Sequence, residues 1–160
     1  DKHRKFFLKP EVEVTKLFFC ADQVILGLVP IVITSGKDQH LLTEYFASLR
    51  ELASDYSGYR FLPGHYGEFT EIKEETDRII AGYGERCTQL RQVLAESNRP
   101  MTLLELDQAL YIQRMQTYRY SFLFSYLHTW PKLFSCLDWL FETGVIDRTE
   151  KDGVLYWSLR

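Results

Sequence analysis

Two side chains in this chain stand where chemistry is possible, and each closes a short apolar run. His65 ends Leu62-Pro63-Gly64-His65, directly after the run Tyr59 to Leu62, and Asp22 stands just past Lys16 to Cys20. Both runs read as short strands. Pro63 fixes φ and Gly64 permits positive φ, so an abrupt turn is expected there. The turn delivers the histidine at a strand's C-terminal end, where α/β folds place ligands. An imidazole in that position can ligate a metal, shuttle a proton or cap the turn. If the two strands are parallel neighbours, carboxylate and imidazole emerge on one edge. A hard oxygen donor beside a borderline nitrogen donor suits zinc, manganese or iron. Spacing alone leaves the plainer readings open, because a strand-end aspartate more often caps a loop and a lone histidine is more often hydrogen-bonded structure.

The elements that must position this pair follow from periodicity. Lys5 to Leu8 is a further strand candidate, and Gln23 to Thr34 is an extended, irregular segment broken by Gly27 and Pro30. Leu41, Leu42, Tyr45, Phe46, Leu49 and Leu52 follow a helical period and predict a helix over Gln39 to Ser54. A long helix is expected over Glu71 to Glu96, with Thr70 as its N-cap and Gly82 and Gly84 as points where it could bend. Beyond Asn98-Arg99-Pro100, Thr102 and Glu105 form a capping-box pattern opening a short helix to Tyr111. Gln113 to His128 is expected to be helical, as is Pro131 to Thr143. Val145 to Arg148 and Val154 to Leu159 flank Asp152-Gly153, a hairpin signal. Helix, helix, helix and two-stranded hairpin is the order of a winged helix.

The segments LFFCADQVI, LLTEYFASLRELA, YRFLPGHYGEF and ERCTQLRQVL are similar, in order and spacing, to the C-terminal half of metallo-β-lactamase-fold hydrolases. The resemblance spans residues 5–97, and the rest resembles the winged-helix domain often appended to such hydrolases. The implied fold is a mixed α/β one (α+β or α/β). Residues 1–97 would form half of an αβ/βα metallo-β-lactamase sandwich ending in a long helix, and residues 98–160 a mostly helical winged-helix domain. The resemblance implies that Asp22 bridges two metal ions, zinc first and iron or manganese next, and that His65 ligates one of them. It implies attack by metal-activated hydroxide on an ester, thioester, amide or phosphodiester. The family's His-x-His-x-Asp-His motif is absent: the histidines are His3, His40, His65 and His128. His3 lies near a further family ligand and is expected to be a neighbouring non-ligand position. The chain is therefore expected to be part of a longer protein and inactive alone, its natural partner the missing N-terminal half. Half a two-sheet sandwich would expose an apolar face that a second copy or the missing half must cover, so a homodimer is a candidate state.

Composition narrows the alternatives. With 160 residues, 46% apolar and 15% aromatic, the chain can bury a substantial core. Cys20, Cys87 and Cys136 are far apart, with no C-x-x-C pair, and read as reduced core residues. The longest apolar run, Val24 to Ile33, is ten residues and interrupted, too short to cross a bilayer. No signal-peptide pattern is visible, so a cytoplasmic protein with no membrane partner is expected, and the resemblance implies a small-molecule substrate. The formal charge of −3 gives no reason to expect nucleic acid. Lys132 faces Asp138 and Glu142 in composition, and Asp147, Arg148, Glu150, Lys151 and Asp152 nearly cancel in the hairpin, so duplex DNA is not expected. The stretch Tyr118 to Trp130, with Tyr120, Phe122, Phe124 and Tyr126, could stack single-stranded bases but is more often core or interface. An interaction or oligomerisation module is the second reading.

Overall fold

A computed structural model describes residues 16–33, 39–114 and 125–160. Strand β1 (Leu17–Ala21) has the two-residue period of a half-covered strand: Phe18 and Cys20 turn towards the core while Leu17 and Phe19 stay exposed. Strand β2 (Arg60–Pro63) lies parallel to it, with Phe18 opposite the fully buried Phe61 and Ala21 opposite Pro63. Parallel neighbours need a crossover, supplied here by the irregular run after β1 and by helix α1 (Leu41–Asp55). After β2 the chain doubles back, and Phe61 and Phe69 exchange backbone hydrogen bonds of 2.8 and 3.2 Å. Lys5 to Leu8 lies outside the described residues.

Helix α1 buries Leu42, Phe46, Leu49 and Leu52 against helix α2 (Ile72–Ser97), which buries Ile79, Tyr83, Cys87 and Leu90. Both begin slightly later than the sequence pattern predicts. His40 adopts a left-handed backbone ahead of α1, and Glu71 rather than Thr70 stands just before α2. Helix α2 passes through Gly82 and Gly84 as one continuous helix. Gly82 serves a tertiary contact, because a Cβ there would lie 2.7 Å from Cγ2 of Val29. The bare backbone lets the segment around Val29 lie against the helix. Next to it the buried Tyr83 hydroxyl accepts from the Val32 N–H at 3.0 Å and donates to the Pro30 carbonyl at 2.8 Å. Burial pushes this phenol well above its usual pKa, so it stays a donor. Tyr83→Phe removes both bonds and leaves the Val32 and Pro30 groups unpaired. A loss of about 1–3 kcal/mol is expected, read as a lower urea midpoint at constant slope.

Helix α3 (Leu103–Arg114) opens on the capping box the sequence predicts. Glu105 accepts from the Thr102 N–H at 2.8 Å, and the Glu105 N–H donates to the Thr102 hydroxyl at 3.3 Å. That backbone donor, with Arg99 beside it at 2.8 Å, holds the Glu105 carboxyl below its usual range. Of the expected helix over Gln113 to His128, residues 115–124 lie outside the described residues. Ser125–Thr129 forms one π-helical turn leading into helix α4 (Trp130–Glu142), with Pro131 in its first turn. Strands β3 (Ile146–Lys151) and β4 (Val154–Leu159) pair antiparallel from Ile146–Leu159 to Lys151–Val154. Met101 adds a bridge to Trp157 through bonds of 2.8 and 2.9 Å.

Helix α2 packs against α1, α3, α4 and β4, so residues on both sides of Ser97 share one core, from Cys20 and Phe61 through Leu90 to Leu137, Ile146 and Trp157. Cys20, Cys87 and Cys136 are buried and free. Large apolar side chains remain exposed on β1 and the run that follows it: Leu17, Phe19, Leu26, Leu28 and Ile33.

Candidate metal centre

The parallel pairing of β1 and β2 brings their C-terminal ends side by side. The Gly64 N–H donates to the Ala21 carbonyl at 2.9 Å and fastens the two ends together. On the β1 side the chain turns at once: Ala21 has φ 46°, and the Gln23 N–H reaches back to the Cys20 carbonyl at 3.0 Å. A left-handed alanine costs about 1 kcal/mol. The turn is held from outside by helix α1, where the Tyr45 hydroxyl donates to the Gln23 carbonyl at 2.6 Å and Gln23 Nε2 donates to the Ser48 hydroxyl. On the β2 side it is Tyr66, at φ 66°, that takes the left-handed conformation, while Gly64 stays outside that region. The backbone freedom the sequence assigns to Gly64 is thus exercised two residues later, by a tyrosine.

Between these two turns Asp22 and His65 converge. His65 Nε2 lies 3.7 Å from Asp22 Oδ1, and each side chain is 66% exposed. The separation is beyond a direct hydrogen bond, and an exposed pair of this kind adds little stability. The pair sits between two left-handed non-glycine residues, Ala21 and Tyr66, and strained backbone of this sort collects at functional sites.

The pair fits a divalent metal by donor type and by distance. A carboxylate oxygen and an imidazole nitrogen bind zinc at about 2.0–2.2 Å each, so donors 3.7 Å apart can reach one ion. The set is short, since catalytic zinc sites use three protein ligands. Among the described residues no group of three or more His, Cys, Asp or Glu is placed to hold a metal ion. His40 is engaged elsewhere, 3.2 Å from Glu142, which also accepts from the Thr43 hydroxyl at 2.9 Å. His128 sits on the π-helical turn, and His3 lies outside the described residues. The sequence shows Asp22 and His65 through their strand-end positions, whereas nothing in an alanine or a tyrosine announces the turns that aim them.

No protein-family model matches the chain, and no curated protein matches it. Solved structures do. A metallo-β-lactamase family protein from Thermus thermophilus superposes with a TM-score of 0.69 at 20% identity, over 90% of this chain and 42% of its own. A β-lactamase domain protein from Burkholderia ambifaria gives a TM-score of 0.73 at 18% identity, over 91% and 42%. The fold is part of a metallo-β-lactamase fold. The metallo-β-lactamase-like chain thus spans about two-fifths of the length of the structures it matches. The likeness establishes a mixed α/β fold.

Proposed function

We propose that this chain is the C-terminal part of a metal-dependent hydrolase, in which Asp22 and His65 are two of the metal ligands and residues 98–160 form a winged-helix domain. One observation carries the reading: in a chain of metallo-β-lactamase-like fold, an exposed carboxylate and imidazole at the ends of two parallel strands converge to 3.7 Å. Asp22 would bridge two zinc ions and His65 would ligate one, the other ligands coming from a preceding half. Bound zinc would supply a Lewis acid and an activated water for an ester, thioester, amide or phosphodiester. The chain's own part is to hold the donors in place. The Ala21–Gly64 hydrogen bond keeps the strand ends in register, and α1 anchors the turn that carries Asp22. The same preceding half would cover Leu17, Phe19, Leu26, Leu28 and Ile33, with a second copy of the chain as the other candidate cover.

The winged-helix assignment rests on the order bridge strand at Met101, α3, α4 and the β3–β4 hairpin. Two of its arginines are engaged internally: Arg148 with Asp138 at 3.1 Å, and Arg160 with Asp147 at 2.9 Å. Tyr126 and Leu127 on the π-helical turn are half exposed, which favours a protein-interaction role for this end over base readout. Among the described residues no helix is long and apolar enough to cross a membrane.

Zinc stoichiometry tests the proposal. The isolated 160-residue chain, equilibrated with micromolar zinc and desalted, is expected to retain none. The complete protein is expected to retain two ions per chain. Stoichiometric zinc on the isolated chain, or none on the complete protein, overturns the reading.

A further inference from the structure

Gly64 is a glycine for a reason other than its backbone. Its φ lies outside the left-handed region, so any residue could adopt its conformation. What a side chain lacks there is room. A Cβ on Gly64 would stand 2.6 Å from Asp22 Oδ1, a separation real Cβ atoms essentially never show, while the nearest backbone atom, the Ala21 carbonyl carbon, would be at an ordinary 3.6 Å. The same Asp22 oxygen faces His65 Nε2 at 3.7 Å. The space left by the missing side chain is therefore filled by one atom of the candidate metal pair.

We propose that Gly64 is a positioning residue for the metal centre: its bare Cα is the seat of the Asp22 carboxylate, and that seat sets the Asp22–His65 separation. This rests on the hydrolase reading above for its chemistry, but its geometry stands independently. The obstruction is one-sided. A methyl group at position 64 meets no backbone closely, so the strand pairing and the Ala21–Gly64 hydrogen bond survive. The Asp22 side chain, two-thirds exposed, gives way by swinging into solvent. The carboxylate then leaves His65 while the fold stays intact. A glycine kept for packing behaves in the opposite manner, because its replacement strains the fold and leaves distant donors in place. Gly82 is that contrasting case: a Cβ there would run into the partly buried Val29.

The test uses Gly64→Ala in the complete protein, with Gly82→Ala as control. Zinc affinity, measured by competition with a chromophoric chelator, is expected to fall about 10- to 100-fold in Gly64→Ala. Its melting temperature without metal should equal or slightly exceed the parent's, since alanine narrows the unfolded ensemble. Gly82→Ala should lower the melting temperature and keep zinc affinity. The visible absorption of the Co²⁺-loaded protein should change in Gly64→Ala alone, a response that a merely structural glycine would not produce. Unchanged zinc affinity in Gly64→Ala overturns the proposal. If the parent binds no zinc, the hydrolase reading fails, and the metal-free crystal structure of Gly64→Ala decides the rest. Asp22 displaced from His65 sustains the seat; Asp22 still within about 4 Å of it, the ion-pair range, overturns it too.

Discussion

Asp22→Ala and His65→Ala, each made in the complete protein, are expected to lower kcat/KM by about 10³-fold or more, roughly 4 kcal/mol of transition-state stabilisation. Stability should hardly move. Both side chains are 66% exposed and make no direct hydrogen bond to each other, so truncation opens no cavity and strands no buried partner. Separation of activity from stability is the signature of a ligand, and a loop cap would show the reverse. Asp22→Asn sharpens the test, because it keeps the shape and removes the charge. Activity should fall as far as in Asp22→Ala. The double variant should be scarcely worse than either single one, since ligands of one centre act as a unit. His40→Ala is the control: another exposed histidine, paired with Glu142 away from the strand ends, whose loss should leave the rate unchanged. Initial rates on zinc-replete protein, with ester, thioester, amide and phosphodiester substrates, decide the matter. Equal losses from His40→Ala and His65→Ala would remove the special status of the pair.

What the sequence makes legible here is local. The capping box at Thr102 and Glu105 and the hairpin at Asp152-Gly153 depend on residues a few positions apart, and both form as their spacing predicts. The helical periods of α1 and α2 are equally plain, with starts one or two residues later than the pattern predicts, where helix ends fray. The site is legible as two strand-end residues, and as a pair only through the resemblance or on a condition about the strands. Their meeting requires β1 and β2 to lie parallel across a crossover, and the sequence states that only as a condition. Glycines misled for a physical reason. Sequence reading values Gly64 and Gly82 for their backbone freedom, whereas in the fold each leaves room for a partner distant in sequence, Asp22 for one and Val29 for the other. The left-handed residues beside the site are Ala21 and Tyr66, types with no preference for that region, so their conformation is imposed by the surrounding structure.

The second large effect concerns charges that read from the sequence as a nearly cancelling surface. Asp138 on α4 and Arg148 on β3 are 8% and 9% exposed and meet at 3.1 Å, with the Arg148 guanidinium 4.2 Å from the centre of the Phe141 ring. Removing either partner breaks a nearly buried ion pair. Arg148→Ala and Asp138→Ala are each expected to cost about 3–5 kcal/mol. For a chain of this size that lowers the melting temperature by about 6–20 °C. Arg148→Lys should recover little, since an ammonium cannot reproduce the planar stack on Phe141. The apolar double variant Asp138→Leu with Arg148→Met should recover most of the loss, because both nearly buried charges are then replaced by apolar side chains. Asp147 and Arg160, half exposed at 2.9 Å, give the comparison, and losing that pair should cost under about 1 kcal/mol. The cycle bears on function as well as on stability. Arg148 is a basic side chain of the hairpin that a nucleic-acid-binding wing would present to a phosphate, and here it is spent holding the hairpin to α4. If Arg148→Ala costs less than about 1 kcal/mol, as an exposed pair would, the guanidinium is available to solvent and the case against nucleic acid at this end weakens. A full loss means the hairpin cannot release its arginine without unfolding.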